Sequence, residues 1–150
     1  MRLLWALRRA RRLTGEDRRE LVVALSVAAF VEIGVRTLPL PRMARLLGIR
    51  LDTDGTVPTG SGPIEMPMWA VPRIRAVRRV SGRWPTSTCL RSSLLLGQRL
   101  RALDPCLRIG VRREAGGLKA HSWLEVGGVS LDATAKDYSP LAAGRPGSPE

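Results

Sequence analysis

The feature that most limits the fold is the dipeptide Gly127-Gly128, which stands between two short stretches of alternating apolar and polar residues. A two-residue loop of this kind joins neighbouring antiparallel strands, and its length sets their register. Val126 then lies opposite Val129, and Trp123 lies opposite Asp132. The chain is therefore predicted to contain an antiparallel sheet around this hairpin.

Alternation along the hairpin sorts its side chains onto two faces. One face is apolar and contains Leu124, Val126, Val129 and Leu131. The other face contains His121, Trp123, Glu125, Ser130, Asp132 and Thr134. On that face Asp132 is diagonal to His121, about 7 Å away between backbones and within side-chain reach. Glu125 is expected to be a solvated strand residue.

The chain before the hairpin is predicted to be mostly helical. Thr14, followed by Glu16 and Asp17, has the composition of a helix start, and this helix is expected to end near Thr37, before Pro39. Further helices are predicted over residues 42–47, residues 69–80, and from Cys89 to Asp104-Pro105. Strands are predicted over residues 107–112, 120–126 and 129–134.

These elements predict an α+β fold in a single domain of residues 1–150. A basic helical part (1–50) and a loop rich in Gly, Pro, Thr and Asp (51–68) precede a core of residues 69–139. The tail (140–150) is expected to be flexible. Within the core, the helix that begins at Cys89 is expected to pack on a small antiparallel sheet, with one apolar face that includes Leu96, Leu100 and Leu103.

Charge and cysteine content limit the functional classes. The chain has 25 basic and 13 acidic residues, a net charge of +12, and 11 of the basic residues lie in the first 50. This excess fits either an anionic partner or a solvated, arginine-rich surface, and the solvated surface is the favoured interpretation. No nucleic-acid-binding motif is visible, so nucleic acid is the weaker alternative and is not expected as a partner. The apolar run Leu21–Val31 is shorter than the about 20 residues that a membrane span needs. Because no secretory signal is evident, free thiols in the cytoplasm are predicted.

One histidine and two cysteines define the candidate chemistry. His121 is the only histidine, so any imidazole-based mechanism must use it. Cys89 follows Thr86-Ser87-Thr88 at a helix start, where free backbone amides and the helix dipole stabilise a thiolate. Cys106 has no such field and is expected to be a core thiol. Asp132 can hold the imidazole in the tautomer that a base needs.

Other residues near this constellation have weaker interpretations. Trp84 and Trp123 are candidates to line a substrate groove, with core packing as the alternative. Asp137 is the alternative to Asp132 as the carboxylate partner of the histidine. Two cysteines and one histidine have no metal-ligand spacing, so neither a metal nor another cofactor is predicted.

The order of a helix-borne Cys, a strand His and a next-strand Asp resembles papain-like and transglutaminase-like proteins. The stretches Cys89–Leu96 and Ala120–Val126 resemble a specific branch, the transglutaminase-like cysteine protease of lasso-peptide biosynthesis, which is the leader peptidase half of the lasso B protein. The resemblance covers residues 69–141. Members often have Asn-Asp in the return strand with the Asp one place later, whereas this chain has Leu131-Asp132-Ala133.

The resemblance implies a cysteine peptidase with a papain/transglutaminase-like core. Its implied substrate is a ribosomally made precursor peptide, from which it removes the leader by acyl-enzyme hydrolysis. A separate leader-binding recognition-element protein is the implied partner, and the lasso cyclase is a further candidate. The same three residues permit acyl transfer to an amine, as in a true transglutaminase, so that alternative stays open.

Overall fold

A computed structural model describes residues 14–52, 62, 64–84 and 88–141. The predicted basic stretch before Thr14, most of the predicted 51–68 loop and the tail beyond Leu141 lie outside these residues. Within them, the helices are α1 (Gly15–Thr37), α2 (Leu40–Leu47), α3 (Ala70–Ser81) and α4 (Cys89–Arg99). The strands are β1 (Arg50–Leu51), β2 (Cys106–Glu114), β3 (Gly117–Val126), β4 (Val129–Ser130) and β5 (Ser139–Pro140). The fold is α+β, as predicted.

The helix boundaries follow local capping chemistry. Thr14 caps α1 with a capping box, in which its hydroxyl accepts a hydrogen bond from the Asp17 amide at 3.1 Å. Helix α2 begins two residues before the predicted start, because Pro41 in its first turn needs no amide hydrogen bond. It ends at Gly48, whose φ of 69° suits a residue without a Cβ. None of the described helices is long and apolar enough to cross a membrane.

The sheet is mixed, with strand order β1-β2-β3-β4. Strand β1 pairs in parallel with the start of β2, and β5 pairs antiparallel with Gly110 and Val111 farther along the same edge. Neither edge strand was predicted. The Leu141 amide donates to the Ile109 carbonyl at 2.8 Å, and the flexibility of the tail stays a prediction.

The hairpin register is confirmed. Val126 pairs with Val129, and the two loop glycines have φ values of 58° and 79°, as a tight hairpin turn requires. The return strand ends at Ser130 rather than at the predicted Thr134. The Ser130 hydroxyl donates to the Asp132 carbonyl at 2.9 Å and accepts from the Asp132 amide at 3.1 Å, and such local bonds replace ladder pairing.

Helix α4 is buried on two sides, because it lies between the sheet and the other helices. Leu94 joins a core cluster with residues of α1, α2, β2 and β3, whereas Leu95 joins a second cluster with residues of α1 and α3. The prediction of one apolar face was therefore incomplete. Leu100 is fully buried, but Leu96 is only partly buried.

Part of the basic excess is neutralised between helices. Acidic residues of α1 form ion pairs with arginines of α3 and α4: Asp17 with Arg79 (3.8 Å), Glu20 with Arg73 (3.8 Å) and Arg99, and Glu32 with Arg91 (2.8 Å). Three acidic residues thus hold α1 to two other helices. This use of arginine explains why several basic side chains of the core are not available to an external partner.

The second face of the sheet contains a buried ionic cluster, which overturns the prediction of a solvated Glu125. Glu125 is 1% exposed, and its carboxylate lies 2.8 Å from Arg108 Nε and accepts a hydrogen bond from Trp123 Nε1 at 3.2 Å. Arg108 Nη1 also lies 3.2 Å from Asp52 Oδ2. The alternation of β3 is correct, but both faces of the sheet are covered, so the polar side is buried as well.

We expect Arg108→Met to lower the free energy of unfolding by about 3–5 kcal/mol, because it leaves Glu125 charged and buried without its cation. The double variant Arg108→Met/Glu125→Leu should recover part of this loss, since two apolar side chains can replace a buried ion pair, although the Asp52 carboxylate also loses its contact with Arg108. Urea unfolding monitored by circular dichroism measures both. Arg36→Met, which removes an exposed arginine that pairs with Glu32, is the control. Equal stability of the two single variants would contradict the prediction.

Candidate active site

Cys89 is the first residue of α4. Thr88 caps this helix by accepting a hydrogen bond from the Arg91 amide at 3.4 Å. The first turn contains no acidic residue, so no negative side-chain charge in it offsets the positive end of the helix dipole. The Cys89 thiol is half-buried, which combines access for a substrate with an electropositive setting.

Helix α4 lies along β3 in matched steps. On the helix, Ser93 Oγ donates to the Ser122 carbonyl at 3.1 Å, and a Cβ at Gly97 would lie 3.3 Å from Leu124. Four helical residues rise by about 6.0 Å, and two strand residues advance by about 6.6 Å. Cys89 lies four residues before Ser93 on the same face of the helix. It is therefore placed beside the strand at the level of residues 120–121.

Asp132 and His121 are in direct contact. His121 Nε2 lies 2.6 Å from Asp132 Oδ2, and the other carboxylate oxygen accepts hydrogen bonds from the Thr134 amide and hydroxyl, both at 2.8 Å. Burial raises the pKa of Asp132, but the hydrogen bonds from His121 and Thr134 hold it below its ordinary value. An ionised carboxylate can only accept, so Nε2 carries the proton and Nδ1 is left for exchange with Cys89.

The thiol and the imidazole have opposite pKa shifts. Burial raises the pKa of Cys89, but hydrogen bonds from Ser122 and His121 bring it below its ordinary value. Burial lowers the pKa of His121, but hydrogen bonds with Asp132 and Cys89 bring it above its ordinary value. Both shifts favour a thiolate–imidazolium pair, which is the activated form of a cysteine nucleophile.

The alternative residues lie elsewhere. Asp137 is 3.9 Å from Arg112, so the carboxylate that the structure brings to His121 is that of Asp132. Cys106 is 3% exposed, and burial raises its pKa. Both cysteines are free thiols. Among the described residues, no group of three or more His, Cys, Asp or Glu side chains is placed to hold a metal ion.

Two neighbours of the histidine were missed by the sequence analysis. Tyr138 packs against His121 with ring centroids 4.9 Å apart, and the Arg112 guanidinium lies over the Tyr138 ring, 4.9 Å from its centroid. No local pattern could have indicated this contact, because it depends on the pairing of β5 with β2. Ser122 was not singled out, although its backbone and its side chain both contribute to the lowered pKa of Cys89.

A cavity of about 330 Å³ opens at the thiol. Its walls come from α3, α4, β3 and the segment after β4, and the residues that line it include Cys89, His121, Asp132, Val77, Leu96 and Arg78. Trp123 also lines this cavity, but it is only 2% exposed. Trp84 is not among the described lining residues; it packs against both core clusters, which favours its core-packing alternative.

We expect the pKa of His121, measured by proton NMR, to lie above its ordinary value of about 6.5. The signal is unambiguous because the chain has one histidine. Asp132→Asn and Cys89→Ala should each lower the titration midpoint, since each removes a group that favours the imidazolium. Asp137→Asn is the matched control and should leave it unchanged. A midpoint that moves with Asp137 and not with Asp132 would reverse the assignment.

Comparison with known proteins gives one family. The model of the transglutaminase-like superfamily matches residues 35–143, well over half of the chain, and this range includes Cys89, His121 and Asp132. No curated protein and no solved structure matches the chain. A Cys-bearing helix packed on a sheet that presents histidine and aspartate agrees with that match, and the chain belongs to the transglutaminase-like superfamily.

Proposed function

We propose that this protein is a cysteine peptidase that removes the leader from a ribosomally synthesised lasso-peptide precursor, with Cys89, His121 and Asp132 as its catalytic residues. The contact that carries the proposal is the 2.6 Å hydrogen bond between His121 and Asp132, beside a thiol at a helix start. This bond orients the imidazole toward the sulfur. The superfamily match supports the class of enzyme, and the stretches Cys89–Leu96 and Ala120–Val126 support the choice of substrate.

The proposed reaction begins with the Cys89 thiolate and the His121 imidazolium. The sulfur attacks the carbonyl carbon of the scissile bond, and the Cys89 amide at the start of α4 donates to the developing oxyanion. The intermediate then collapses with cleavage of the C–N bond. His121 gives its proton to the leaving amine, and a thioester remains on Cys89.

Water completes the cycle. Neutral His121 accepts a proton from a water molecule as its oxygen attacks the thioester carbonyl. The C–S bond breaks, the new carboxylic acid leaves, and the thiolate–imidazolium pair is restored. Throughout, Asp132 stabilises the imidazolium and keeps the proton on Nε2, while Thr134 keeps the carboxylate in place.

The proposed setting is the cytoplasm, where the ribosome makes the precursor. A recognition-element protein that binds the leader would tether the precursor and raise its local concentration to roughly millimolar. The lasso cyclase would then receive the released core. The purified protein alone should cleave the precursor slowly, and the recognition-element protein should accelerate that cleavage.

Acyl transfer to an amine is the second candidate, favoured by the superfamily match itself. Both reactions share the thioester and differ in the group that resolves it. Mass spectrometry of the products separates them, because hydrolysis leaves a free carboxylate and transfer leaves an amide that contains the added amine. An amide product in the presence of amines, with no hydrolysis in their absence, would contradict the peptidase proposal.

Cys89→Ala should abolish cleavage of the precursor, because it removes the nucleophile. Cys106→Ala should cleave at the wild-type rate, because that thiol is buried in β2 with a raised pKa. Both variants are measured by mass spectrometry of the precursor, with and without the recognition-element protein. Cleavage by Cys89→Ala would refute the proposed mechanism.

Asp132→Ala should lower the turnover rate by more than about tenfold, because the imidazole loses the carboxylate that orients it. Asp132→Asn should retain more activity, since its amide oxygen can still accept a hydrogen bond. Asp137→Ala is the control and should have little effect. Circular dichroism verifies folding. An inactive Asp137→Ala beside an active Asp132→Ala would show that the catalytic carboxylate is Asp137 and not Asp132.

A further inference from the structure

Ser122 is a buried polar residue whose hydroxyl has no fully aligned partner. The residue is 4% exposed, and within the described part of the chain its Oγ forms no hydrogen bond of regular geometry. Buried hydroxyls are normally paired, because an unpaired donor lowers stability. Ser122 nevertheless lines the same cavity as Cys89. A polar group retained in this position indicates a role in the chemistry of that cavity.

The direction of Ser122 follows from the packing of α4 on β3. The Ser122 carbonyl accepts a hydrogen bond from Ser93 Oγ at 3.1 Å, which holds this part of the strand against the helix. Ser93 is one helical turn after Cys89 and on the same face. Ser122 has the same strand parity as Leu124, which contacts α4 at Gly97. Its side chain therefore faces α4 near Ser93, one turn from Cys89, and Ser122 and Cys89 line the same cavity.

We propose that Ser122 is a positioning residue whose hydroxyl donates a hydrogen bond to the Cys89 sulfur in its thiolate form. A thiol is a weak acceptor, whereas a thiolate accepts a charge-assisted bond. The hydroxyl thus has its full partner only after the proton has moved to His121. The lowered pKa of Cys89, to which the Ser122 side chain contributes, is consistent with this role.

This role differs from that of the neighbouring hydroxyls. The Ser93 hydroxyl already donates to the Ser122 carbonyl, and Thr88 accepts from an α4 amide. Ser81 provides a close comparison, because its Oγ is also buried without a hydrogen-bond partner among the described residues and lines the same cavity. It lies at the end of α3, whereas the hydrogen bonds that lower the pKa of Cys89 come from Ser122 and His121.

The inference deepens the proposed function, but the test needs no substrate. The rate of alkylation by iodoacetamide is measured against pH in full-length Cys106→Ala protein, in which Cys89 is the only thiol. Adding Ser122→Ala should raise the midpoint of the profile by about one pH unit, as expected for the loss of one hydrogen bond to a charged group. Adding Ser81→Ala should leave the midpoint unchanged.

A pair of matched variants separates the hydroxyl from the shape of the side chain. Ser122→Thr and Ser122→Val have nearly equal volume, but only Thr retains the donor. The midpoint for Thr should stay near that of the wild type, and the midpoint for Val should follow that of Ala. Equal midpoints for Thr and Val, or an equal shift in Ser81→Ala, would overturn the proposal, and this pair decides it even if Ser122→Ala does not fold.

The outcome is distinct from that of the proposed peptidase activity. A shifted alkylation profile in a protein that cleaves no precursor would support the role of Ser122 and count against the peptidase. Cleavage of the precursor by a protein whose alkylation midpoint is the same with and without the Ser122 hydroxyl would overturn the inference and leave the peptidase in place.

Discussion

The close packing of α4 on β3 is the constraint on which the candidate site depends. Ser93 and Gly97 bring one face of the helix against Ser122 and Leu124, and a larger residue at Gly97 would clash with Ile49, whose side chain lies 2.7 Å from the position of an added Cβ. Four helical residues, slightly more than one turn, advance about as far as two strand residues, so contacts at Ser93 and Gly97 also fix the position of Cys89 along the strand. The start of α4, and with it Cys89, is thus placed beside β3 by backbone geometry rather than by a flexible loop.

Electrostatics act on both sides of this helix–strand unit. On the helical side, acidic residues of α1 pair with arginines of α3 and α4, so the basic composition contributes to the assembly of the helices. On the far side of the sheet, Arg108 and Glu125 form a buried ion pair. Trp123 connects this pair with His121, because its indole N–H donates to Glu125 and its ring stacks with the imidazole at a centroid distance of 6.2 Å. The imidazole is therefore supported from two directions, by Asp132 and by the aromatic rings beside it.

Predictions from the sequence were most accurate where the cause is local. The Thr14 cap, the Gly48 end of α2, the start of α4 after Thr88 and the register of the Gly127-Gly128 hairpin all depend on a few neighbouring residues. The errors were in burial and in long-range pairing. Glu125 was expected in solvent because alternation distinguishes two faces but does not say whether the second face is covered. Both edge strands of β2 were missed, since two-residue strands have no detectable period.

By itself, the sequence determined the chemistry available to this protein: one histidine, one thiol at a helix start, and an aspartate whose parity in a two-residue hairpin places it on the histidine face. These follow from composition and from backbone periodicity, which are local properties. Only the tertiary structure decided which groups meet. The packing of α4 on β3 brings Ser122 into the cavity that contains Cys89, and the pairing of β5 with β2 brings Tyr138 to the imidazole. Contacts between residues far apart in the chain depend on how whole elements pack, and no short stretch of sequence specifies that packing.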